Sequence, residues 1–298
     1  MSTIQAKPTL VKVSNIRKKE KRMPTYVLIY YFILVLVAIT IIIPFIWMLS
    51  ASFDRVNTYE LPYPPRFIPA NFSSFNYKMV ITNMQILVYL KNTIIVAIMS
   101  LIFQLILTPM CGFAFSKGCF PGKSIILIFI LSNLMVPFET KLSAIYNIVK
   151  NMGLSNTYLG IVLPGVMTSA MFIFFMKKFC DDLPYDLYES GVLDGASKLR
   201  IFLQIYLPLM GPALATIAVL DVMNTWNDLL WPMIVVNKHE MSTIQVGLAM
   251  FSSDASGINR HAGMTAAASM LSIIPLALVF IFLQRYIVES IAVTGIKQ

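Results

Sequence analysis

The stretch DLPYDLYESGVLDGASKLRIFLQIYLPLMGP, Asp182 to Pro212, is a polar, charge-bearing segment set between two long apolar runs. A chain that is 57% apolar and 12% charged has little polar surface to spare. A polar internal segment of this length therefore reads as a contact element. Its pattern predicts two short helices joined by a tight turn. Pro184 suits the first turn of a helix, with Asp181 or Asp182 before it as cap. Gly195, after Asp194, supplies the freedom a turn needs, and Ser197 caps a second helix that stops at Pro208. Ser190 and Gly191 carry almost no side chain, so the first helix admits close approach by another protein.

Outward from this segment the chain is lipid-soluble. Its 298 residues have a mean hydropathy of +0.74, and soluble domains carry about a quarter charged residues, well above the share here. Apolar runs of about twenty residues mark bilayer crossings. Six are expected, at 26–50, 92–115, 123–140, 157–176, 208–236 and 264–287, which makes the fold an all-α membrane domain over 26–298. The first is too long for a cleaved signal peptide and lacks a small-residue cleavage site. The third has Pro137 and Glu139 near its end. Segment 51–91, with Pro62, Pro64, Pro65 and Pro69, is not one long helix. Its Tyr59, Tyr63, Phe67 and Phe72 read either as an interfacial aromatic belt or as partner-facing residues. No internal repeat suggests the inverted halves of a secondary transporter.

Positive charge gives the orientation. Lys7, Lys12, Arg17, Lys18, Lys19, Lys21 and Arg22 all precede Pro24, so residues 1–25 are expected to be a basic cytoplasmic tail, disordered or lying on the anionic inner leaflet. Six crossings then return the C-terminus to the cytoplasm and place the loop 177–207 there too. About fifteen of the 23 basic residues fall on that side. The net charge of +9 is thereby explained by topology, and no nucleic-acid partner is needed.

The sequence carries no catalytic or metal-binding pattern. Cys111, Cys119 and Cys180 fall near the reducing side and have no ligand spacing. His239 and His261 both fall in the last external loop. Gly118-Cys119-Phe120-Pro121-Gly122-Lys123-Ser124 has three residues between its glycines where a phosphate-binding loop needs four, and it follows a membrane span instead of a strand. It reads as a tight turn between spans two and three. ATP chemistry, if used, belongs to another polypeptide.

Glu189-Ser190-Gly191, Asp194-Gly195-Ala196, Ile205 and Leu207-Pro208 resemble the EAA loop of permeases in binding-protein-dependent ABC importers, whose pattern is Glu-Ala-Ala, a glycine at fixed spacing, then Ile-x-Leu-Pro. Ser190 and Gly191 depart from the usual alanines, though both are small. Asn156-Thr157-Tyr158-Leu159-Gly160 through Leu163-Pro164, Trp226-Asn227-Asp228 through Trp231-Pro232, and Gln284-Arg285-Tyr286 to Gly295-Ile296-Lys297 are similar to the carbohydrate-type, maltose-permease-like branch. The resemblance implies a type I importer permease in a bacterial-type inner membrane. It implies a homologous second permease, two ATPase subunits that hold ATP and Mg, an external solute-binding protein and a carbohydrate cargo. It assigns ATPase coupling to Glu189, Ser190, Gly191, Asp194, Gly195 and Ala196, and suggests that Thr294 to Gln298 reach toward the ATPases.

On the fifth span Asp221, Asn224, Thr225 and Asp228 fall on one helical face. Asp221 lies near mid-membrane and Asp228 about 10 Å further out. A lipid-facing carboxylate at that depth costs several kcal/mol, so the stripe is expected to face water or the bundle interior. Two readings stand side by side. In one, Asp221 and Asn224 contact solute, Trp226 and Trp231 offer stacking surfaces, and Asn227 helps to bond the cargo. In the other, these groups bond neighbouring helices and Trp231 anchors the interface. The spans hold no central Lys or Arg, which disfavours an anionic cargo. Alternative functions are import of a glycerol phosphoester or polyamine, or proton-coupled transport through the two aspartates.

Overall fold

The computed structural model describes residues 25–55, 64–252 and 262–295. The basic segment before Thr25, Tyr59, Tyr63, His261 and the last three residues lie outside the described residues, so the expectations placed on them are not addressed. The chain forms two units, 1–46 and 47–298. In the first, the described residues are the opening of helix α1 (Thr25–Phe53). Its apolar side chains from Leu28 to Ile46 are largely exposed, as a lipid-facing surface requires.

In the second unit the end of α1 is stapled to the segment that follows. Asp54 is fully buried and accepts from the backbone N–H groups of Ala70 (2.8 Å) and Asn71 (3.2 Å). Asn76 Nδ2 donates to the carbonyls of Ser52 and Asp54, both at 3.1 Å. Helix α2 (Phe75–Asn83) starts from this staple, and Gln85 turns the chain into α3 (Ile86–Lys117).

Helix α3 is the spine of the unit. It starts six residues before the expected span. At 32 residues it is about 48 Å long, well beyond a bilayer core. A stripe of small and polar residues (Asn92, Val96, Ser100, Gln104, Thr108) runs along it at four-residue spacing, and all are buried. α4 (Lys123–Ser132), with a tighter turn through Met135, follows the turn at 118–122. Lys123 Nζ donates to the carbonyls of Ser116 and Gly118, both at 3.0 Å, so it caps α3 and completes the tight turn read from the sequence.

The third apolar run stops short of the expected position. Pro137 lacks an N–H and forces Val136 into an extended conformation (φ −99, ψ 117), so the helix ends at Met135. The chain bends by 114° into α5 (Phe138–Asn151), an amphipathic helix. Lys141 Nζ reaches back to Asn133 O (3.2 Å) and Oδ1 (2.7 Å), satisfying the end of α4. α6 (Tyr158–Met167) and α7 (Ala170–Asp182) form the fourth run, bent by 49° at Thr168–Ser169.

After α7 come α8 (Asp186–Leu193) and α9 (Lys198–Ile201). The latter continues through a π-helical segment, Phe202–Tyr206, into α10 (Leu207–Leu209). The second helix therefore does not stop at Pro208: the wider π turn accommodates the residue that cannot donate. Its end is at Met210, where the chain bends by 75° into α11 (Gly211–Asn227). The fifth run is thus not one helix over 208–236. α11 ends at Asp228, and a short α12 (Leu230–Val235) follows. α13 (Ile244–Ser252) and α14 (Ala262–Gly295) complete the chain.

Among the described residues three helices are long and apolar enough to cross a membrane, and three bent pairs raise the number to as many as six. Among the described residues there is no β-strand, only the isolated bridge between Asp54 and Phe72. α7 and α11 pack on α3, with α6 beside them, and α14 packs on α11 and α2.

Candidate functional site

The loop 182–210 folds as a small body of its own. Asp181 and Asp182 do not cap its first helix. They sit in the last turn of α7, paired with Lys177 (2.6 Å) and Lys178 (3.2 Å) at four-residue spacing. α8 opens at Asp186, two residues after Pro184, with acidic Asp186 and Glu189 near its positive end. Gly195 has φ +71, the left-handed conformation expected of the turn. Ser197 caps α9, its side chain accepting from Arg200 N at 3.3 Å.

Gly191 faces inward. A Cβ there would stand 2.9 Å from Ile201 Cγ1 and 3.2 Å from Ile205 Cδ1, so its missing side chain lets α8 lie against the second helix. The close approach read from the sequence is used within the loop. Glu189, Ser190, Asp194 and Gly195 are exposed and Ala196 half-buried. They share the outer surface with apolar Val192 and Leu193, the latter 87% exposed.

Residues of the fifth run meet in a cavity of about 640 Å³. Asp221, Asn224, Thr225, Asn227 and Asp228 all border it, opposite Ser100 of α3 and the α6–α7 break at Thr168 and Ser169. Asp221 is 6% exposed. Ser100 Oγ donates to its Oδ1 at 3.1 Å, whereas its buried Oδ2 has no hydrogen-bond partner among the described residues. Ser169 Oγ donates to Gln104 Oε1 at 3.3 Å beside them. Asn224 is exposed to the cavity, while Asn227 Nδ2 is turned back to Met223 O at 2.8 Å. Asp228 starts α12, accepting from Trp231 N at 3.3 Å.

The tryptophans are not stacking platforms. Trp226 points away from the cavity into a core with Met264, Ala267 and Ala268, and its Nε1 donates to Ser272 O at 3.2 Å. Trp231 borders the cavity but is 2% exposed, its Nε1 donating to Gly160 O at 3.1 Å and its ring meeting Phe138 edge-on. Their amphipathic rings are consumed by packing. Among the described residues no cluster of acidic, His and Cys side chains fits a metal ion.

Residues 22–293 match the family model described as binding-protein-dependent transport system inner membrane component. The chain belongs to that family. This permease is 30% identical over 232 residues to the arabinooligosaccharides transport system permease protein of Halalkalibacterium halodurans, covering 78% of this chain and 82% of the relative. It is 30% identical over 268 residues to the trehalose/maltose transport system permease protein of Thermococcus litoralis, covering 88% and 94%. The sn-glycerol-3-phosphate transport system permease protein of Brucella abortus is 29% identical over 280 residues, with 91% and 98% covered. Among solved structures, a chain of a bacterial ABC transporter that imports the acidic polysaccharide alginate superposes with a TM-score of 0.77. It shares 23% identity, with 88% of this chain and 96% of that chain covered, and so shares the fold.

The permease is thus an integral membrane protein of the importer class that its loop motif resembles. Ser100, Gln104 and Ser169 were not singled out in the sequence, although the four-residue polar spacing along an otherwise apolar α3 was a legible signal. Phe113, whose ring packs on Phe202 and Tyr206 of the loop, left no such trace.

Proposed function

We propose that this permease is the membrane-spanning subunit of an ATP-driven importer for a sugar or oligosaccharide, and that the cavity along α11 is its half of the solute pathway. The observation that carries the reading is the Asp221 carboxylate: buried, held at one oxygen by Ser100, and bare at the other. An unpartnered buried acceptor of this kind is costly unless a donor arrives, and a sugar hydroxyl is such a donor. Asn224 and Thr225 add amide and hydroxyl groups one turn away. The names of the arabinooligosaccharide and trehalose/maltose relatives support the same cargo class.

In this reading the chain crosses the inner membrane six times with both ends cytoplasmic, residues 1–25 forming a basic tail. Glu189, Ser190, Gly191, Asp194, Gly195 and Ala196 form the coupling element. Glu189, Asp194 and the exposed Val192 and Leu193 meet the ATPase, while Gly191 keeps the element compact. ATP and Mg sit on two separate ATPase subunits, a homologous permease completes the pathway, and an external binding protein delivers the solute. Nucleotide on one side and loaded binding protein on the other bias the same two-state element.

A second reading, import of a glycerol phosphoester, is favoured by the name of the Brucella relative. Among the described residues no Lys or Arg lines the cavity to meet a phosphate, and Asp221 would repel one. The experiment is to purify the assembled complex through a tag on this chain in mild detergent and identify the ligand retained on the co-purifying binding protein by mass spectrometry. An ATPase, a second permease and a neutral saccharide are expected. A retained phosphoester would overturn the cargo assignment, and absence of any ATPase would overturn the function.

A further inference from the structure

The loop is joined covalently to the rest of the chain by two irregular connections. Toward α7, Leu183 is extended (φ −74, ψ 140) and Pro184 follows it outside any helix. Toward α11 lie the π-helical segment Phe202–Tyr206 and then the 75° break at Met210. Between these joints the loop is one body, with Gly191 seated on Ile201 and the Ala196 N–H bonded to Gly191 O at 3.0 Å. Tyr206 and Met210, at the second connection, are fully buried in a cluster with Met176 of α7 and Ala213 and Ile217 of α11, so the loop also rests on those two helices.

A different attachment is closely packed. Phe113 of α3 lies with ring centroids 4.9 Å from Tyr206, 5.4 Å from Phe202 and 6.4 Å from Tyr188. One turn further, Lys117 Nζ stands 5.3 Å from the Tyr185 ring centre and 5.8 Å from that of Tyr206. The nearby carboxylate of Asp181 is held by Lys177 and by Ser116 Oγ at 2.7 Å, and Lys117 makes no ion pair among the described residues. Tyr185 and Tyr188 lie at the first helix of the loop and Phe202 and Tyr206 in its π-helical segment, so α3 touches the loop at both of its ends. α3 is helical throughout, including at Pro109, and seventeen residues from Lys117 it carries Ser100, about 25 Å away. Ser100 bonds Asp221 in the cavity.

We propose that Phe113 and Lys117 are positioning residues through which movement of the loop reaches the cavity along α3, in preference to the covalent path into α11. This rests on the reading of the loop as the ATPase-facing element. The cation over two rings supplies an attraction that survives small sliding, and Phe113 supplies a wedge that does not compress.

The test uses the complete complex, co-purified through this chain and reconstituted with its binding protein. ATP hydrolysis is measured with and without the ligand-loaded binding protein, because that stimulation must cross the chain. Lys117→Met keeps the aliphatic stem and removes the charge. It is expected to leave assembly and basal hydrolysis unchanged and to lower stimulation by about five-fold, the scale of one lost cation–π contact. Lys117→Arg is expected to restore stimulation, and Tyr185→Leu to reproduce the loss should Lys117→Met fail to assemble. A glycine inserted after Met210, loosening the covalent path, is expected to keep more than about half the stimulation, because that joint is already bent. Undiminished stimulation in the Lys117→Met, Phe113→Leu double variant would overturn the inference, as would abolition by the glycine insertion alone. If no ATPase co-purifies with the unaltered chain, the proposed function itself fails.

Discussion

Replacing Asp221 by asparagine separates the two roles open to its carboxylate. The side chain is 6% exposed, and its hydrogen bond is the one from Ser100 at 3.1 Å. Placing an aspartate at the centre of a membrane-spanning helix costs about 2.5–3.5 kcal/mol on insertion scales. One hydroxyl bond to a charged acceptor returns about 1.5–3 kcal/mol, leaving roughly 1 kcal/mol uncompensated at Oδ2. In asparagine, losing the charge recovers about 3 kcal/mol, the weaker bond from Ser100 to a neutral oxygen returns about 1 kcal/mol less, and an unpartnered amide nitrogen in the place of Oδ2 costs about 1 kcal/mol, so the variant should gain about 1 kcal/mol. For a chain of this size that raises the unfolding midpoint by about 2–4 °C. Thermal unfolding of the purified complex at a fixed scan rate reads this out, the fixed rate being needed where unfolding is irreversible. Uptake into proteoliposomes of the saccharide found on the binding protein should fall by about ten-fold, because a cargo hydroxyl would lose a charged acceptor. The combination of higher stability and lower uptake is the signature of a group kept for function. A midpoint several degrees lower with normal uptake would refute the reasoning and make Asp221 a helix–helix contact to Ser100.

Gly195→Val places a β-branched residue at φ +71 with nothing within 4 Å of its Cβ, so its cost is pure backbone strain, about 1–2 kcal/mol or more; ATPase co-purification should be lost with membrane insertion intact, and Gly195→Asn should be tolerated. Asn224→Leu should cut uptake or change the accepted saccharides, and a cysteine at 224 should react with a water-soluble maleimide in only one nucleotide state; no reaction in any state, together with normal uptake, would remove Asn224 from the pathway. Trp226→Phe removes the bond to Ser272 O and should cost about 1 kcal/mol of stability while leaving uptake unchanged. Loss of uptake in that variant at unchanged stability would revive the stacking role.

The apolar runs and the turn within the 182–210 loop were legible because each rests on a local rule. Bilayer thickness sets run length, φ above zero selects Gly195, and a hydroxyl before a helix caps it at Ser197. The cavity-facing stripe was legible for a similar reason: Asp221, Asn224 and Thr225 share a face of one continuous helix. Asp228 reaches the same cavity only because the chain turns there. What was hidden is decided between elements. Whether Trp226 faces a cavity or a core depends on where α14 packs, which no local pattern states. Gly191 looked like an open surface, yet the space above it is filled by Ile201, a residue ten positions later. The bend at Ser169 has no Gly or Pro at its apex, whereas the one at Met210 lies between Pro208 and Gly211-Pro212, of which only Pro208 entered the sequence expectation.

The helix ends that meet at the cavity have a consequence for how its lining changes. Where α4, α6 and α11 end inside the apolar layer, their last carbonyls have no helical partner, and such backbone is tolerated only beside protein donors or water. Leu134, Thr168 and Asp228, at the three breaks, all border the one cavity. At two of these breaks protein donors meet the carbonyls, Lys141 Nζ at Asn133 O (3.2 Å) and Asn133 Nδ2 at Thr168 O (3.0 Å), so part of the cavity's polarity belongs to the main chain. If the cavity is the solute pathway, its lining side chains can be exchanged one at a time while that main-chain polarity stays, so a new cargo can be tried before the old one is lost.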